Sequence, residues 1–355
     1  GPKAFGAYYT KLSYTPEWDK PWRVGPYADV VVCFGELPFR FVFWRGTSYC
    51  PCWVSENGIW YSNEWWETSE LHDPMGWLVW NPTCSTDYTI GGCEPLFDKQ
   101  TRYSHVRIVE NTEARIVIHW RYALCDTLYR LPYVDPETGW GDWADEYYTI
   151  YPDGTCLRKA TCWSTKPEGG WQGIPSEGVA HRECHESIVI NQPGTRPDDN
   201  IEIGAVTLAT LAGQSHTYEW NEGAPYFNQL ENPCLQMINL KAKSKPFEIV
   251  EPEGSRFQSF REYDGLRHAP GSNFLCWDHW PITQEKSDER TTLDYSRPSH
   301  SSLCHIIWPP AEKTKNSITN ILLTGMTVAG AQELVVLARS WIHPPMLQIQ
   351  GENDS

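Results

Sequence analysis

The residues best suited to proton transfer lie in Arg102-Tyr-Ser-His-Val-Arg107 and, further on, at His119. Side chains two residues apart on a β-strand point to the same face, so Tyr103, His105 and Arg107 should share one face. If the chain turns back after this segment, His119 comes within reach of that face. An imidazole beside an arginine binds protons less tightly, which favours the neutral state that a general base needs near pH 7. From the residues alone, hydrogen-bonded strand residues that face the core or a neighbouring blade are the favoured alternative.

A second cluster, Gly139-Trp-Gly-Asp-Trp-Ala-Asp-Glu-Tyr-Tyr148, mixes acidic and aromatic residues and leads into a strand that carries Arg158. Acidic and aromatic side chains together suit sugar hydroxyls, stacking on sugar rings, or a cation. A tyrosine beside an arginine can also give a proton to a leaving hydroxyl. The alternative is a rigid connecting loop with a packed aromatic core.

Two further clusters are less diagnostic. The first is Trp44-Arg45-Gly-Thr-Ser-Tyr49 with the segment 63–67. The second combines the segment 297–302 with Asn273, Trp277, Asp278, His279 and Trp280. Packing in a blade core and turn hydrogen bonds explain both clusters better than direct catalysis does. His181 and His185 lie four residues apart on an expected strand, which does not suit a shared zinc ion. Phosphate-binding loops, nucleophile elbows and HExxH motifs are missing from the sequence.

The charge balance restricts the possible partners. With 45 acidic and 29 basic side chains among its 355 residues, the chain has a formal charge of −16. Such a chain repels nucleic acid and anionic membranes, so neither is an expected partner. An anionic sugar would have to be held by local groups of arginine and histidine. No apolar run approaches the roughly 20 residues of a membrane span. Residues 1–10 lack the features of a signal peptide, which fits a mature secreted chain as well as an intracellular one.

The elements that carry these residues are strands. Short β-branched and aromatic runs alternate with turn residues, and hairpins are predicted around Asn57-Gly58, between Arg107 and Tyr122, and between Tyr147 and Arg158. Ile318 to Ser340 also favours strands. Hairpins at this spacing predict an all-β, single-domain β-propeller over residues 1–349. The tail at 350–355 is expected to be disordered. Blades of roughly 45 to 50 residues would give about seven of them, although a two-sheet sandwich is an alternative. Cys33, Cys125 and Cys304 are expected as buried free thiols.

Five segments together resemble the seven-bladed β-propeller polysaccharide lyases. This group includes ulvan lyases, fungal L-rhamnose-α-1,4-D-glucuronate lyases that act on gum arabic, and related propeller α-L-rhamnosidases. The chain looks most like the rhamnose-glucuronate lyases, and the motifs extend over most of its length. The segments are Phe43-Trp-Arg-Gly-Thr-Ser-Tyr49, Asn57-Gly-Ile-Trp-Tyr61, Arg102-Tyr-Ser-His-Val-Arg107, Gly139-Trp-Gly-Asp-Trp-Ala-Asp-Glu-Tyr-Tyr148 and Arg297-Pro-Ser-His-Ser-Ser302.

The resemblance implies β-elimination at a glucuronate, which releases rhamnose and leaves an unsaturated uronate. His105 is then the base, with His119 as its partner. Tyr148 or Tyr147 is the candidate acid, and Arg158 neutralises the substrate carboxylate. In glucuronate the C5 proton and O4 lie on one face, so His105 could also serve as both base and acid. Six further residues are assigned to substrate binding, namely Arg45, Tyr103, Arg107, Trp140, His279 and His300.

The resemblance also implies structural calcium, although no aspartate spacing identifies its ligands. It predicts an extracellular monomer whose partner is an anionic plant glycan. A propeller α-L-rhamnosidase and an ulvan lyase are alternatives within the group. A different class of function is a propeller that binds glycans without catalysis, with Trp65, Trp66 and Trp140 as sugar platforms.

Overall fold

Strands dominate the protein, and the expected all-β fold is confirmed. The computed structural model describes residues 4–13, 25–70, 92–126, 129–164, 179–220, 230–260, 275–277, 296 and 298–345. Within these ranges the strands form two antiparallel sheets of ten strands each, accompanied by two α-helices and short 3₁₀ turns. No helix in these ranges is long and apolar enough to span a bilayer.

The first sheet contains the N-terminal strands and strands from the second half of the chain. Its main path runs β1-β2-β3-β4-β5-β11-β18-β16, with β6 paired to β5 and β17 to β18. The strands are β1 (Phe5–Thr10), β2 (Asp29–Phe34), β3 (Arg40–Phe43), β4 (Pro51–Val54), β5 (Trp60–Glu70), β6 (Gly92–Cys93), β11 (Val179–Asn191), β16 (Arg256–Ser259), β17 (Leu275–Trp277) and β18 (Ser299–Ile307).

The second sheet contains the residues of the first two sequence clusters. Its path runs β13-β12-β14-β15-β20-β10-β9-β8-β7, with β19 paired to β20. The strands are β7 (His105–Asn111), β8 (Ile116–Ala123), β9 (Trp143–Ile150), β10 (Thr155–Trp163), β12 (Ile201–Ala209), β13 (Ser215–Glu219), β14 (Leu235–Leu240), β15 (Lys245–Ile249), β19 (Glu312–Lys313) and β20 (Ser317–Thr327).

One hydrophobic core joins the inner faces of the two sheets. Phe41 and Phe43 of β3 pack against Tyr148 of β9, with ring centroids 5.6 and 5.3 Å apart. The seven-bladed propeller expected from the sequence is not confirmed, because the described strands join two large sheets rather than four-stranded blades. The tail at 350–355 lies outside the described residues, and the domain limits stay a prediction.

The predicted hairpins are all present, and two of their turns use glycine in the left-handed region. β4 and β5 pair with Trp53 opposite Tyr61, and Gly58 in their turn has φ +74°. β9 and β10 pair across a turn where Gly154 has φ +89°. A β-carbon on Gly154 would come within 2.4 Å of the Met326 carbonyl oxygen, so this turn requires glycine for two independent reasons.

The expectation of strands throughout residues 318–340 is wrong in its second half. β20 occupies the first half, but the chain then forms α2 (Ala331–Ile342), and a short α1 (Pro197–Asn200) occurs earlier. Leu334, Val335 and Ala338 are buried at the spacing of one helix face. The Glu333 carboxylate accepts a hydrogen bond from the Gly330 backbone and caps the helix start. These two signals outweigh the β-branched content of the segment.

Three cysteines behave as expected. Cys33, Cys125 and Cys304 are buried free thiols. Burial, followed by nearby carboxylates and Cys93, raises the pKa of the Cys125 thiol. These thiols therefore act as small core side chains.

Candidate functional site

The side of β7 to β10 that points away from the hydrophobic core carries a dense group of charged and aromatic residues. Burial alternates along these strands: Ile118, Trp120 and Tyr122 of β8 are buried against the first sheet, whereas His119 and Arg121 point the other way. We call this side the β7–β10 outer face. Its polar residues include His105, Arg107, His119, Arg121, Asp145, Tyr147 and Lys159.

A chain of three side chains holds one arginine in place on this face. Arg107 Nε donates a hydrogen bond to His119 Nδ1 at 3.2 Å, and His119 Nε2 lies 2.6 Å from Asp145 Oδ1. Because Nδ1 accepts, the proton is assigned to Nε2, which donates to the carboxylate. The Tyr147 ring stacks on the imidazole at 4.5 Å with an angle of 13°. His119 is only 7% exposed, so both of its ring nitrogens serve this internal chain.

The consequence is an oriented guanidinium at the surface. Arg107 is exposed, and its bond to His119 uses Nε alone. Among the described residues, its two terminal amino groups have no hydrogen-bond partner, so they can form a fork toward a carboxylate. Hydrogen bonding to a buried, stacked imidazole reduces the side-chain freedom that Arg107 would otherwise lose on binding.

His105 lies between two arginines. Arg107 follows it by two residues on the same face of β7, and Arg121 is its partner across the β7–β8 pair. His105 is exposed, with the Tyr27 ring 6.3 Å away. Arg121 is partly exposed, and its Nη1 lies 3.4 Å from each Asp145 oxygen. The structure thus places His105 and Arg107 on one face with His119 beside them, as the sequence predicted.

Tyr103 departs from that prediction. It precedes the first residue of β7, and it is half-buried with its ring 6.2 Å from that of Tyr129. The strand alternation that should align Tyr103 with His105 therefore does not apply to it.

Tyr148 and Arg158 point into the core, so the structure does not bring them to the outer face. Both contact the buried carboxylate of Glu146, at 2.5 Å from the Tyr148 hydroxyl and 2.8 Å from Arg158 Nε. The Tyr122 hydroxyl donates to the same carboxylate at 2.6 Å. Arg158 and Glu146 are each 0% exposed. The acid role of Tyr148 and the carboxylate-binding role of Arg158 are accordingly corrected, and both residues stabilise the sheet interior.

Of the other predicted binding residues, some are buried, one is exposed and one lies outside the described residues. Arg45 is buried in an ion pair with Asp29, and its Nη2 donates to the Leu12 carbonyl at 2.9 Å. These contacts hold the segment at Leu12 against β2, and they occupy the Arg45 guanidinium inside the protein. His300 is 6% exposed on β18 of the first sheet, and His279 lies outside the described residues. Trp140 is 51% exposed, and its ring centroid lies 5.6 Å from the Arg121 guanidinium.

A second polar cluster, which the sequence did not reveal, joins the two sheets. Glu248 of β15 is fully buried and accepts hydrogen bonds from Tyr61 at 2.7 Å, Asn63 at 2.6 Å and His185 at 2.7 Å. Burial raises the pKa of Glu248, but the charge and hydrogen bond of His185, together with the hydrogen bonds from Tyr61 and Asn63, hold it below its ordinary value of 4.5. An acidic residue within the apolar run Phe247-Glu-Ile-Val250 was the available signal. Full burial makes this cluster structural.

The described residues leave the calcium that the resemblance implies as a prediction. Among them, no group of three or more His, Cys, Asp or Glu side chains could hold a metal ion. The carboxylates near the outer face already have protein partners, since Asp145 accepts from His119 and Arg121.

Comparisons with known proteins do not assign the chain to a family. No family model matches it, and no curated protein matches it. Among solved structures, galactose 1-epimerase from Lactobacillus acidophilus is 8% identical, with 91% of this chain and 99% of that chain covered and a TM-score of 0.34. Lysyl oxidase from Pichia pastoris is also 8% identical, with 82% and 51% covered and a TM-score of 0.33. Likenesses at this level identify neither the fold family nor the activity.

Proposed function

We propose that this protein is a polysaccharide lyase that cleaves a uronate-containing glycan by β-elimination on the β7–β10 outer face. The observation that carries the proposal is the Asp145–His119–Arg107 chain, which presents an oriented guanidinium beside the exposed His105. The same face holds Arg121 and Lys159 on a protein with a net charge of −16. This local excess of cations is the arrangement that an anionic sugar requires.

Arg107 and Arg121 bind and neutralise the uronate carboxylate. They flank His105, one along the strand and one across it. A guanidinium fork pairs with both carboxylate oxygens and stays charged throughout. Neutralising the carboxylate stabilises the negative charge that develops when C5 loses its proton.

His105 removes the C5 proton. The C5–H electron pair then forms the C4–C5 double bond, the C4–O4 bond breaks, and O4 leaves with a proton. In glucuronate that proton can return from His105 itself, because H5 and O4 share a face. Tyr147, 39% exposed, is the second candidate donor. His119 is a positioning residue, since its two ring nitrogens already bind Arg107 and Asp145.

The proposed substrate is the rhamnose-α-1,4-glucuronate cap of arabinogalactan, as in gum arabic. The sequence motifs support this choice, and an extracellular monomer acting on a plant glycan belongs to the same proposal. The seven-bladed architecture that accompanies these motifs has no support in the pairing of the described strands. Among the described residues, those assigned to the reaction all lie on the outer face of the second sheet.

Incubation with gum arabic tests the activity. We expect free rhamnose together with the ultraviolet absorbance of a conjugated unsaturated uronate. Rhamnose without that absorbance would instead indicate an α-L-rhamnosidase, and an unsaturated product from ulvan but not gum arabic would indicate an ulvan lyase. Absence of product from both glycans contradicts catalysis.

A variant pair tests the base. His105→Ala should lower kcat roughly 100-fold or more while folding is kept, the usual effect of removing a general base. His216→Ala is the matched control, because His216 is also an exposed strand histidine of the second sheet. Equal turnover in the two variants would exclude His105 as the base.

Glycan binding without catalysis is the second candidate function. The exposed rings of Trp140 and Trp163 favour it. Trp65 and Trp66, which the sequence assigned to the same role, are 4% and 0% exposed and cannot serve as platforms. This function predicts measurable affinity for gum arabic with no new product.

A further inference from the structure

Three tryptophans are grouped at one end of the β7–β10 outer face. Trp143 of β9 and Trp163 of β10 are cross-strand partners, and their rings stack at 5.5 Å with an angle of 18°. The Trp140 ring lies 6.3 Å from that of Trp143. Trp163 and Trp140 are 37% and 51% exposed. We call these three residues the tryptophan ladder.

The backbone holds the ladder in place without a ligand. Trp140 closes a tight loop in which the Asp135 amide donates to the Trp140 carbonyl at 2.8 Å. The Asp135 carboxylate accepts from the amides of Glu137 at 2.7 Å and Thr138 at 3.0 Å. Gly139 adopts φ +75°, which a side chain would oppose. A ring fixed in this way loses little freedom when it binds.

Arg121 connects the ladder to the carboxylate site. Its guanidinium lies 3.7 Å from the Trp143 ring centroid, and on the β8 strand Arg121 is the partner of His105. Adjacent strands are about 4.8 Å apart, so the three strand spacings from His105 to Trp163 amount to roughly 14 Å. An oligosaccharide, rather than a single sugar, is needed to reach both.

We infer that the tryptophan ladder is the subsite for the sugar units that adjoin the uronate, and that it recognises the glycan by stacking on the apolar faces of their rings. The inference rests on the proposed function, which places the uronate at Arg107 and Arg121. Flat aromatic rings provide a large contact area, and the indole N–H groups and neighbouring polar side chains suit hydroxyl groups. The continuity of the ladder with Arg121 makes the glycan a better fit than an apolar protein partner.

The test compares two ligands on variants that bind without turnover. In a His105→Ala background, calorimetry gives the affinity for the rhamnose-glucuronate disaccharide and for a longer gum arabic oligosaccharide that ends in it. Trp163→Ala should lower the ratio of oligosaccharide to disaccharide affinity roughly three- to tenfold, the scale of one lost aromatic contact. Trp140→Ala, in the loop outside the sheet, should act in the same direction. Trp163→Phe should restore most of the ratio.

Tyr151→Ala is the matched control, because Tyr151 is also 37% exposed and lies at the opposite end of the β9–β10 hairpin. Thermal melting verifies that each variant folds. If the ratio is the same in the Trp163, Trp140 and Tyr151 variants while both ligands still bind, the ladder inference is overturned and the proposed function stands. If neither ligand binds the His105→Ala protein, both are overturned.

Discussion

The ion pair between Glu146 and Arg158 gives the sharpest test of which face of the β9–β10 hairpin is buried. Both side chains are 0% exposed, and Arg158 Nε lies 2.8 Å from Glu146 Oε2. Arg158→Met would leave a buried carboxylate with two tyrosine hydroxyl donors and no cation. Removing one partner of a buried ion pair costs about 3 to 5 kcal/mol in the free energy of unfolding.

A second change should recover much of that loss. Glu146→Gln in the Arg158→Met background removes the uncompensated charge, and the amide oxygen can still accept from Tyr122 or Tyr148. We expect the free energy of unfolding of the double variant to be within about 2 kcal/mol of that of the original protein. The double-mutant cycle should therefore give a coupling energy above about 1 kcal/mol, the range of residues in direct contact.

Urea unfolding followed by tryptophan fluorescence measures all four proteins of the cycle. Additive free energies, with no coupling, would refute the buried pairing. An Arg158→Met variant with full stability but no lyase activity would restore the catalytic role that the sequence resemblance assigned to Arg158.

Three further predictions concern stability and reactivity. The pKa of Glu248 in the folded protein is below its ordinary 4.5, so its contribution to stability is complete above pH 4.5 and is lost as the pH falls further. His185→Gln should flatten the pH dependence of the free energy of unfolding measured in urea, and an unchanged slope would contradict the pairing. Burial raises the pKa of Cys52 to about 12, so iodoacetamide should leave this thiol unlabelled, by mass spectrometry, until the protein unfolds. Gly154→Ala should lower the melting temperature more than Gly58→Ala, because both positions have positive φ but only the first meets a backbone atom; equal losses would be inconsistent with that contact.

Local pattern was sufficient to predict the hairpins and the cationic side of β7 and β8. Side chains on a strand alternate between its two faces, which predicted that His105 and Arg107 lie together, and a short turn brought His119 beside them. This alternation alone does not show which of the two faces of a strand is buried. His105 and Arg107 share a face whichever face is buried, so the prediction of their grouping did not depend on it.

For β9 and β10 the same choice decided the roles of the residues. Tyr148 shares its face with Ala144 and Ile150, and Arg158 shares its face with Cys156 and Ala160. Those small and apolar neighbours were the available sign that this face is buried. The polar residues Tyr148 and Arg158 made this face look exposed. Their burial is favourable only because Glu146 pairs with them, and the sequence pattern does not show that pairing.

Long-range pairing could not be read from the sequence. β5 pairs with β11 and β10 with β20, although these strands are far apart in the chain. Hairpin spacing is equally compatible with four-stranded blades and with two large sheets, since both are built from the same local units. The Glu248 cluster follows from this long-range pairing, because its donors Tyr61 and His185 come from the other sheet.

The central claim is that Arg107, held by His119 and Asp145, recognises the carboxylate of a uronate. Calorimetry with gum arabic oligosaccharides, native and with their carboxyl groups reduced to alcohols, tests it most directly. The original protein should bind the native form about 10- to 100-fold more tightly, as expected for a charge-assisted hydrogen bond pair, and Arg107→Ala should lose most of that preference. Equal affinity of the original protein for the two forms, or a preference that persists in Arg107→Ala, would contradict the account.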